Sequence, residues 1–300
     1  MSSTIRAADG EAGGGPAVLH IGCAGWSLPR AQWPRFPAEG SHLERYAARF
    51  TAVEIDTSFY RPHRRETYER WAASTPDGFR FAVKLPQSIT HERKLVDAMP
   101  PVDEFLAQVQ GLGDKLGCLL IQLPPKLGFD AVVVRRFLSE LRRRYAGPLA
   151  LEPRHAEWFS TAAADAMLVR FEVARVLADP VVHGAVAPGG WPGLVYLRLH
   201  GSPRRYWSAY EDEWLALLAL RLVRAREEGA ECWCVLDNTA GGEAIGNAFT
   251  LRGAVAAASG EAAIAARAEK NPLVRFDGAR RDNVFASPHD TTLRTMKATG

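Results

Sequence analysis

Cysteine is scarce: Cys23, Cys118, Cys232 and Cys234 are the four among 300 residues. Each stands in or beside an apolar run, where a thiol behaves as a small buried hydrophobe. Cys232 and Cys234 alternate along a strand and so share one face. No second Cys or His cluster has metal-site spacing, which argues against a structural zinc module. Reduced thiols fit a cytoplasmic protein. Long apolar runs are also missing. Nothing approaches the ~18 residues of a membrane span, and the N-terminus lacks the apolar core of a secretory signal. Strong net charge is absent too. Lys and Arg number 37 against 34 Asp and Glu, giving +3 and a pI near 8.7. That surplus is too mild to imply nucleic acid on its own. Gly22 and Gly25 do not make the phosphate-binding fingerprint of a doubly wound sheet. No H-E-x-x-H zinc motif occurs.

What is present is a repeated unit, a short apolar run that ends in polar residues. It occurs eight times: Val18 to Gly22, Ala52 to Asp56, Phe79 to Lys84, Gly117 to Leu123, Gly147 to Glu152, Glu172 to Ala178, Gly193 to Gly201 and Cys232 to Leu236. Helical segments lie between them. Ser41 and Glu44 form a capping box, and Pro101 opens a helix at its first turn. Further helices are expected over Arg65 to Ser74, Asp130 to Tyr145, Thr161 to Arg170, Glu211 to Glu228 and Glu243 to Ala258. Alternation at short spacing predicts a parallel sheet with crossover helices. Eight units favour closure into a single α/β (β/α)8 TIM-type barrel over residues 17–260. Residues 1–16 read as a disordered leader and 261–300 as a poorly ordered tail, both poor in apolar pattern.

In such a barrel the working groups lie at the C-terminal ends of the strands. Alternation places Asp56, Lys84, Gln122, Glu152, Asp179, His200 and Asp237 on the inward face, with Glu54, Arg80 and Arg198 deeper. Isolated charges there would cost several kcal/mol each, so they must be paired, solvated or ligated. Either a salt-bridge web holds the mouth, or the mouth is a polar site for a charged ligand. So many polar strand ends exceed what pairing alone requires.

Other candidates sit on the loops. Thr239-Ala240-Gly241-Gly242-Glu243 opens the last helix, and its glycine amides suit an anion. Arg204, Arg205, Tyr206, Trp207 and Tyr210 form a basic-aromatic cluster, a platform for a base or sugar. His91 and His155 lie just past strands three and five as acid/base candidates. The basic run Arg135, Arg136, Arg142, Arg143 and Arg144 reads as a solvated helix face. Glu152, Asp179, His200 and Asp237 would be the ligands of a divalent metal, were one bound. Nothing in the sequence requires a cofactor, and nothing sets an oligomeric state. Glu152 and Asp237 also admit a paired-carboxylate glycosidase, a weaker reading.

Several ordered motifs together resemble the YecE-like family, TIM-barrel-type proteins classed as a domain of unknown function. They are Ile21-Gly22-Cys23-Ala24-Gly25-Trp26-Ser27, Val53-Glu54-Ile55-Asp56-Thr57-Ser58-Phe59-Tyr60 and Phe79-Arg80-Phe81-Ala82-Val83-Lys84. Ile89-Thr90-His91, Gln122-Leu123-Pro124-Pro125, Tyr196-Leu197-Arg198-Leu199-His200-Gly201 and Asp237-Asn238-Thr239 continue the match, which covers about Leu19 to Leu251. The resemblance implies the barrel and a mouth lined by motif residues, among them Trp26, Tyr60, Arg154, His155 and Asn238. It implies no activity. Two stretches depart from the family pattern: around strand five Pro153 follows Glu152 and Ala156 stands where Pro is usual, and in strand two Asp56 stands where Asn is common.

These observations favour an enzyme acting on a phosphorylated or otherwise anionic small molecule. Glu152 or Asp237 would be the base, His200 or His91 the acid/base partner, and Lys84 with Arg198 the electrostatic clamp. The alternatives are a metal-dependent nuclease or phosphodiesterase, and a non-catalytic binder of an anionic metabolite or nucleic acid.

Overall fold

The computed structural model describes residues 17–269 apart from 182, 185 and 186. The expected leader therefore lies outside the described residues. The chain forms a mixed α/β fold built on parallel sheets. In order it runs β1 (Leu19–Cys23), α1 (His42–Ala47), β2 (Ala52–Ile55), α2 (Arg65–Ala73), β3 (Arg80–Lys84), α3 (Met99–Val109), β4 (Leu116–Gln122), α4 (Ala131–Arg144) and β5 (Leu149–Glu152). It continues with α5 (Glu157–Ser160), α6 (Ala162–Arg170), β6 (Val173–Arg175), β7 (Leu177–Asp179), β8 (Gly189–Gly190), β9 (Leu194–Leu199), α7 (Asp212–Glu227), β10 (Glu231–Leu236) and α8 (Ala244–Glu269).

Local chemistry accounts for several of these boundaries. The Ser41–Glu44 capping box is formed in full at α1, satisfying two otherwise orphaned amides. Asp130 accepts from the amides of Val132 and Val133 at the start of α4. Pro100 and Pro101 occupy the first turn of α3, where the missing N–H costs nothing.

The strands do not close into one continuous ladder, contrary to the expected eight-stranded barrel. Two sheets form, ordered β1-β10-β9-β7 and β2-β3-β4-β5-β6-β8. The reasons are local. The sixth expected strand breaks at Val176: β6 pairs with β5, while β7 pairs with β9. At the other seam β1 meets β2 through a single bridge, Ala24 to Glu54. The two-residue β8 adds an antiparallel edge to β6 that the sequence did not announce. Its Gly190 has φ 69°, and a Cβ there would lie 2.5 Å from the Val173 carbonyl oxygen, so glycine is required. The last helix continues to Glu269, nine residues into the stretch expected to be poorly ordered. The rest of that stretch lies outside the described residues.

Burial is two-layered, as strand alternation dictates. Ala82, Leu120, Ala150, Ala174, Tyr196 and Trp233, drawn from both sheets, pack against one another in an inner core. The intervening residues, including Cys232 and Cys234, turn outward into a larger core with the helices. All four thiols are free and buried. Alanines on β2, β3, β5 and β6 make room inside for Tyr196 and Trp233, and the large aliphatics outside meet the helices. The carboxyl ends of the parallel strands are left to carry polar groups.

Candidate functional site

At those carboxyl ends one guanidinium gathers four carboxylates. Arg198 of β9 is buried. Its Nη2 and Nε donate to Glu54 Oε1 at 2.6 and 3.0 Å. Nη1 reaches Glu152 Oε2 at 2.9 Å, and Nη2 also reaches Asp56 Oδ2 at 2.9 Å and Asp237 Oδ2 at 3.3 Å. Tyr196, two residues earlier on the same face, donates its hydroxyl to Glu54 Oε2 at 2.6 Å. Planar bidentate contacts of this kind are what guanidinium geometry favours.

A second layer surrounds this hub. His200 Nδ1 lies 2.9 Å from Asp237 Oδ2, and its Nε2 lies 3.7 Å from Glu152 Oε1. Arg154 pairs with Glu152 and sets its Nη2 3.3 Å from His200 Nε2. Lys84 Nζ stands 3.7 Å from Asp56 Oδ1 and 4.4 Å from the centre of the Phe59 ring. Four carboxylates thus face Arg198, Arg154, Lys84 and His200, so the cluster balances when one proton is held, on His200 or on one of the carboxylates.

The electrostatics separate the groups into roles. Burial would raise Glu152, yet Arg198, His200 and Arg154 hold it well below the usual carboxylate range. It is a fixed anion and a weak base, so the base role expected of it is not supported by its surroundings. Burial would lower His200, but Asp237 and Glu152 overcome this and raise it. The Arg154 approach at 3.3 Å suits an unprotonated Nε2, whereas the flanking carboxylates favour the cation. The carboxylates prevail, because Arg154 is already neutralised by Glu152. Complete burial pushes Glu54 up to about 7, with Arg198 opposing and Asp56 reinforcing.

The remaining expected site residues divide clearly. Gln122 is half-buried and stands in register with Glu152. His91 lies at the rim, edge-on to Phe59 at 4.8 Å, and is lowered by burial and by Lys84. Asp179 is not at the hub. It accepts from the Tyr210 hydroxyl at 2.8 Å, on the opposite strand face from Val176 and Ala178. The expected metal set of Glu152, Asp179, His200 and Asp237 is therefore not assembled. No group of three or more His, Cys, Asp or Glu among the described residues is placed to hold a metal ion.

Other departures have equally local causes. His155 turns outward to Glu157, 3.7 Å away. Tyr60 is 76% exposed. Trp26 packs on Trp71 rather than at the hub. Asn238 is a strut, donating to the Ser208 carbonyl and to Asn247 Oδ1. The Gly241, Gly242 and Glu243 amides donate to the carbonyls of Tyr206, Thr239 and Asn238. They are spent within the loop and do not form the expected anion cradle. In the basic run, Arg142 clamps the carbonyls of Gly147, Phe171 and Glu172, and Arg143 and Arg144 pair with Glu140.

Three contributors were not foreseen in their roles. Tyr196 and Phe59 support the hub and Lys84, and Tyr196 could have been found from its parity with Arg198. Tyr206 lies edge-to-face over His200 at 5.4 Å, with its amide bonded to the His200 carbonyl. With Tyr206 in place, His200 is wholly buried.

Taken together, the fold and the hub define an α/β protein whose parallel strands end in one buried, charge-balanced cluster. The chain belongs to the family described as "Protein of unknown function DUF72", which it matches over residues 20–272. It is 32% identical over 144 residues to the UPF0759 protein YecE of Escherichia coli (strain K12), covering 48% of this chain and 51% of that protein. The UPF0759 protein YunF of Bacillus subtilis (strain 168) is 31% identical over 151 residues, covering 48% and 53%. The alignment spans about half the length of these curated relatives. A crystal structure of a DUF72 family protein from Enterococcus faecalis V583 aligns with TM-score 0.67 at 21% identity, over 88% of this chain and all of that one. Another from Thermotoga maritima MSB8 gives 0.64 at 23%, over 78% and 98%. At these identities the two structures speak to the fold alone. No helix among the described residues is long and apolar enough to cross a membrane.

Proposed function

We propose that the protein is an enzyme that acts on a small anionic molecule by general acid–base chemistry at the carboxyl ends of the strands. The observation that carries this reading is the His200–Asp237 contact of 2.9 Å, set beside an ionised Glu152. A histidine oriented through one ring nitrogen and flanked by a second carboxylate is equipped to give and retake a proton near neutral pH. In this reading His200 is the proton carrier and Asp237 orients it. Glu152 keeps its cationic form available, and Arg198 holds the carboxylates in register. Lys84 at the rim receives the anionic end of the substrate. Tyr206 shields His200 and moves aside for substrate.

The architecture supports a (β/α)8-type barrel, because only Val176 separates β6 from β7 and the Ala24–Glu54 bridge links the other seam. Four free thiols support a cytoplasmic setting.

The test is a turnover panel of phosphorylated and carboxylated metabolites, run with the wild type and His200→Asn. A general acid–base contribution is worth roughly 10²–10⁴-fold, and the variant is expected to lose that much. Equal turnover by both proteins removes His200 from the chemistry. Salt-sensitive binding without turnover by the wild type would instead select the non-catalytic binder, the reading that the complete burial of His200 favours.

A further inference from the structure

The displacement of Trp26 from the hub creates a second feature at the same end of the strands. At Gly25 the chain adopts φ 87°, a conformation that glycine accepts without strain. The turn carries Trp26 off the inner face of β1 and onto Trp71 of α2. The two indoles meet with centroids 4.9 Å apart and planes at 76°. His63 and Tyr68 set their rings against Trp71 at 4.9 and 5.5 Å. Around this corner lies a cavity of about 380 Å³, lined by both tryptophans and by Ser41, His42, Arg70 and Ser74.

The polar lining is largely committed. Ser41 and Glu44 are consumed by the cap of α1, and the Ser74 hydroxyl donates to the Trp71 carbonyl at 3.1 Å. Arg70 is different: it is exposed and forms no ion pair or side-chain hydrogen bond among the described residues. The cavity thus carries one guanidinium with no partner among the described residues, beside two indoles already fixed in place, while the Glu44 carboxylate on its wall is held by the Ser41 amide. Aromatic faces stack rings with little sequence or substituent preference. Guanidinium is the side chain best matched to phosphate. Rings held by edge-to-face neighbours lose little further freedom when a ligand stacks on them.

We propose that this corner is a binding site for a phosphorylated ring compound, a nucleoside or sugar phosphate. The ring lies in the Trp26–Trp71 corner, and the phosphate meets Arg70. The site shares no residue with the hub. It is joined to the hub's edge by one path: Thr57, next to Asp56, holds His63 Nε2 at 2.8 Å, and His63 touches Trp71. The proposal stands whether or not His200 performs chemistry.

The experiment is a titration of the full chain, followed by the indole N–H resonances. The probes are AMP, adenosine, glucose 6-phosphate and inorganic phosphate. Trp26→Phe and Trp71→Phe assign the two indoles. A phosphorylated ring compound is expected to shift both resonances saturably. Arg70→Ala should weaken that probe about tenfold and leave any adenosine response unchanged. A response to AMP alone identifies the base as the stacked ring, and a response to glucose 6-phosphate alone identifies the sugar. Inorganic phosphate binding as tightly as the ring compounds would overturn the stacking role. The absence of any shift up to about 10 mM, well above ordinary metabolite affinities, would overturn the site. Arg70 is exposed, so its variant keeps the test intact should either tryptophan variant fail to fold.

Discussion

At one end of the strands Arg198 gathers Glu54, Asp56, Glu152 and Asp237. At the other end His20, Arg80 and Glu231 surround Trp233 with no such hub. There Trp233 Nε1 donates to Glu231 Oε1 at 2.8 Å, and His20 Nε2 lies 3.6 Å from the same oxygen. The His20 ring lies tilted against Trp233, centroids 4.4 Å apart and planes at 37°, and its Nδ1 is buried without a hydrogen-bond partner among the described residues. Burial, aided by Arg80, lowers His20 to about 4, and burial raises Glu231. The two ends answer the same difficulty in opposite ways. The hub pairs its charges, whereas at the base burial drives both His20 and Glu231 toward their neutral forms. Pairing retains groups that can exchange protons, and neutralisation gives a plug. That difference is the reason to look for chemistry at one end only.

The sharpest way to break this comparison is to remove the pairing cation. Arg198→Met leaves four carboxylates around an apolar side chain. Removing one partner of a buried ion pair costs about 3–5 kcal/mol, and here one residue serves four partners. The expected result is the largest stability loss of any single substitution in the chain, measured by urea unfolding at pH 7. The deficit should shrink as pH falls and the orphaned carboxylates take up protons. A loss below about 1 kcal/mol would mean that the hub is solvated and contributes little.

Much of the hub was legible because strand alternation is a strict rule. Glu54 and Asp56 share parity, as do Arg198 and His200, and counting places all four inward; the same count reaches Tyr196, whose part in the hub only the structure shows. Asp179 is the last polar residue of its strand but has the wrong parity for the inward face. Counted from Ala174 and Val176, Ala178 faces in and Asp179 faces out to Tyr210. Trp26 and the Gly241-Gly242 turn were illegible for another reason. Their direction is set by backbone conformation past the strand end, and by which carbonyls the loop amides find. Alternation does not reach that far. The split into two sheets has two seams, one at Val176, whose amide bonds back to the Leu151 carbonyl, and one between β1 and β2, which meet only through the Ala24–Glu54 bridge. No pattern in the sequence marks that break.

The two buried histidines sharpen the comparison through the sign of their pH dependence. His20 has its folded value depressed from 6.5 to about 4. Between those values the unfolded chain binds a proton that the folded protein refuses, so stability falls as pH drops from about 6.5 to 4. Full expression of that difference is on the order of 3 kcal/mol. His20→Leu should flatten unfolding free energies over this window. An unchanged slope would show that the base of the strands is open to water.

His200 carries the opposite sign. Its folded value is raised, chiefly by Asp237 and Glu152 acting against burial. Its contribution is fully present below about 6.5, the unfolded value, and is lost as pH rises through the folded value. His200→Gln should remove this alkaline decline and leave the acid side as it was. Ring-proton chemical shifts against pH would follow the two histidines separately, His20 titrating low and His200 high. If both titrate together near 6.5, the contrast between the ends fails.

The smallest effect comes from the same chemical change made at the base. Glu231→Gln keeps an acceptor for Trp233 Nε1 and removes a carboxyl that burial already pushes toward its neutral form. Its folded value is raised, so the carboxylate opposes folding once pH exceeds the unfolded value of about 4.3. The amide should remove that opposition. The expected change at pH 7 is within about 0.5 kcal/mol and stabilising in sign. Glu152→Gln makes the identical swap at the hub with the opposite consequence. There the carboxylate is held low by Arg198, His200 and Arg154, so its stabilisation is present at pH 7 and lost only as pH falls below the unfolded value. The amide leaves two guanidiniums short of an anion. Unfolding curves for the pair, taken at one pH, compare pairing with neutralisation at constant side-chain size. Equal stabilities would erase the distinction between the two ends.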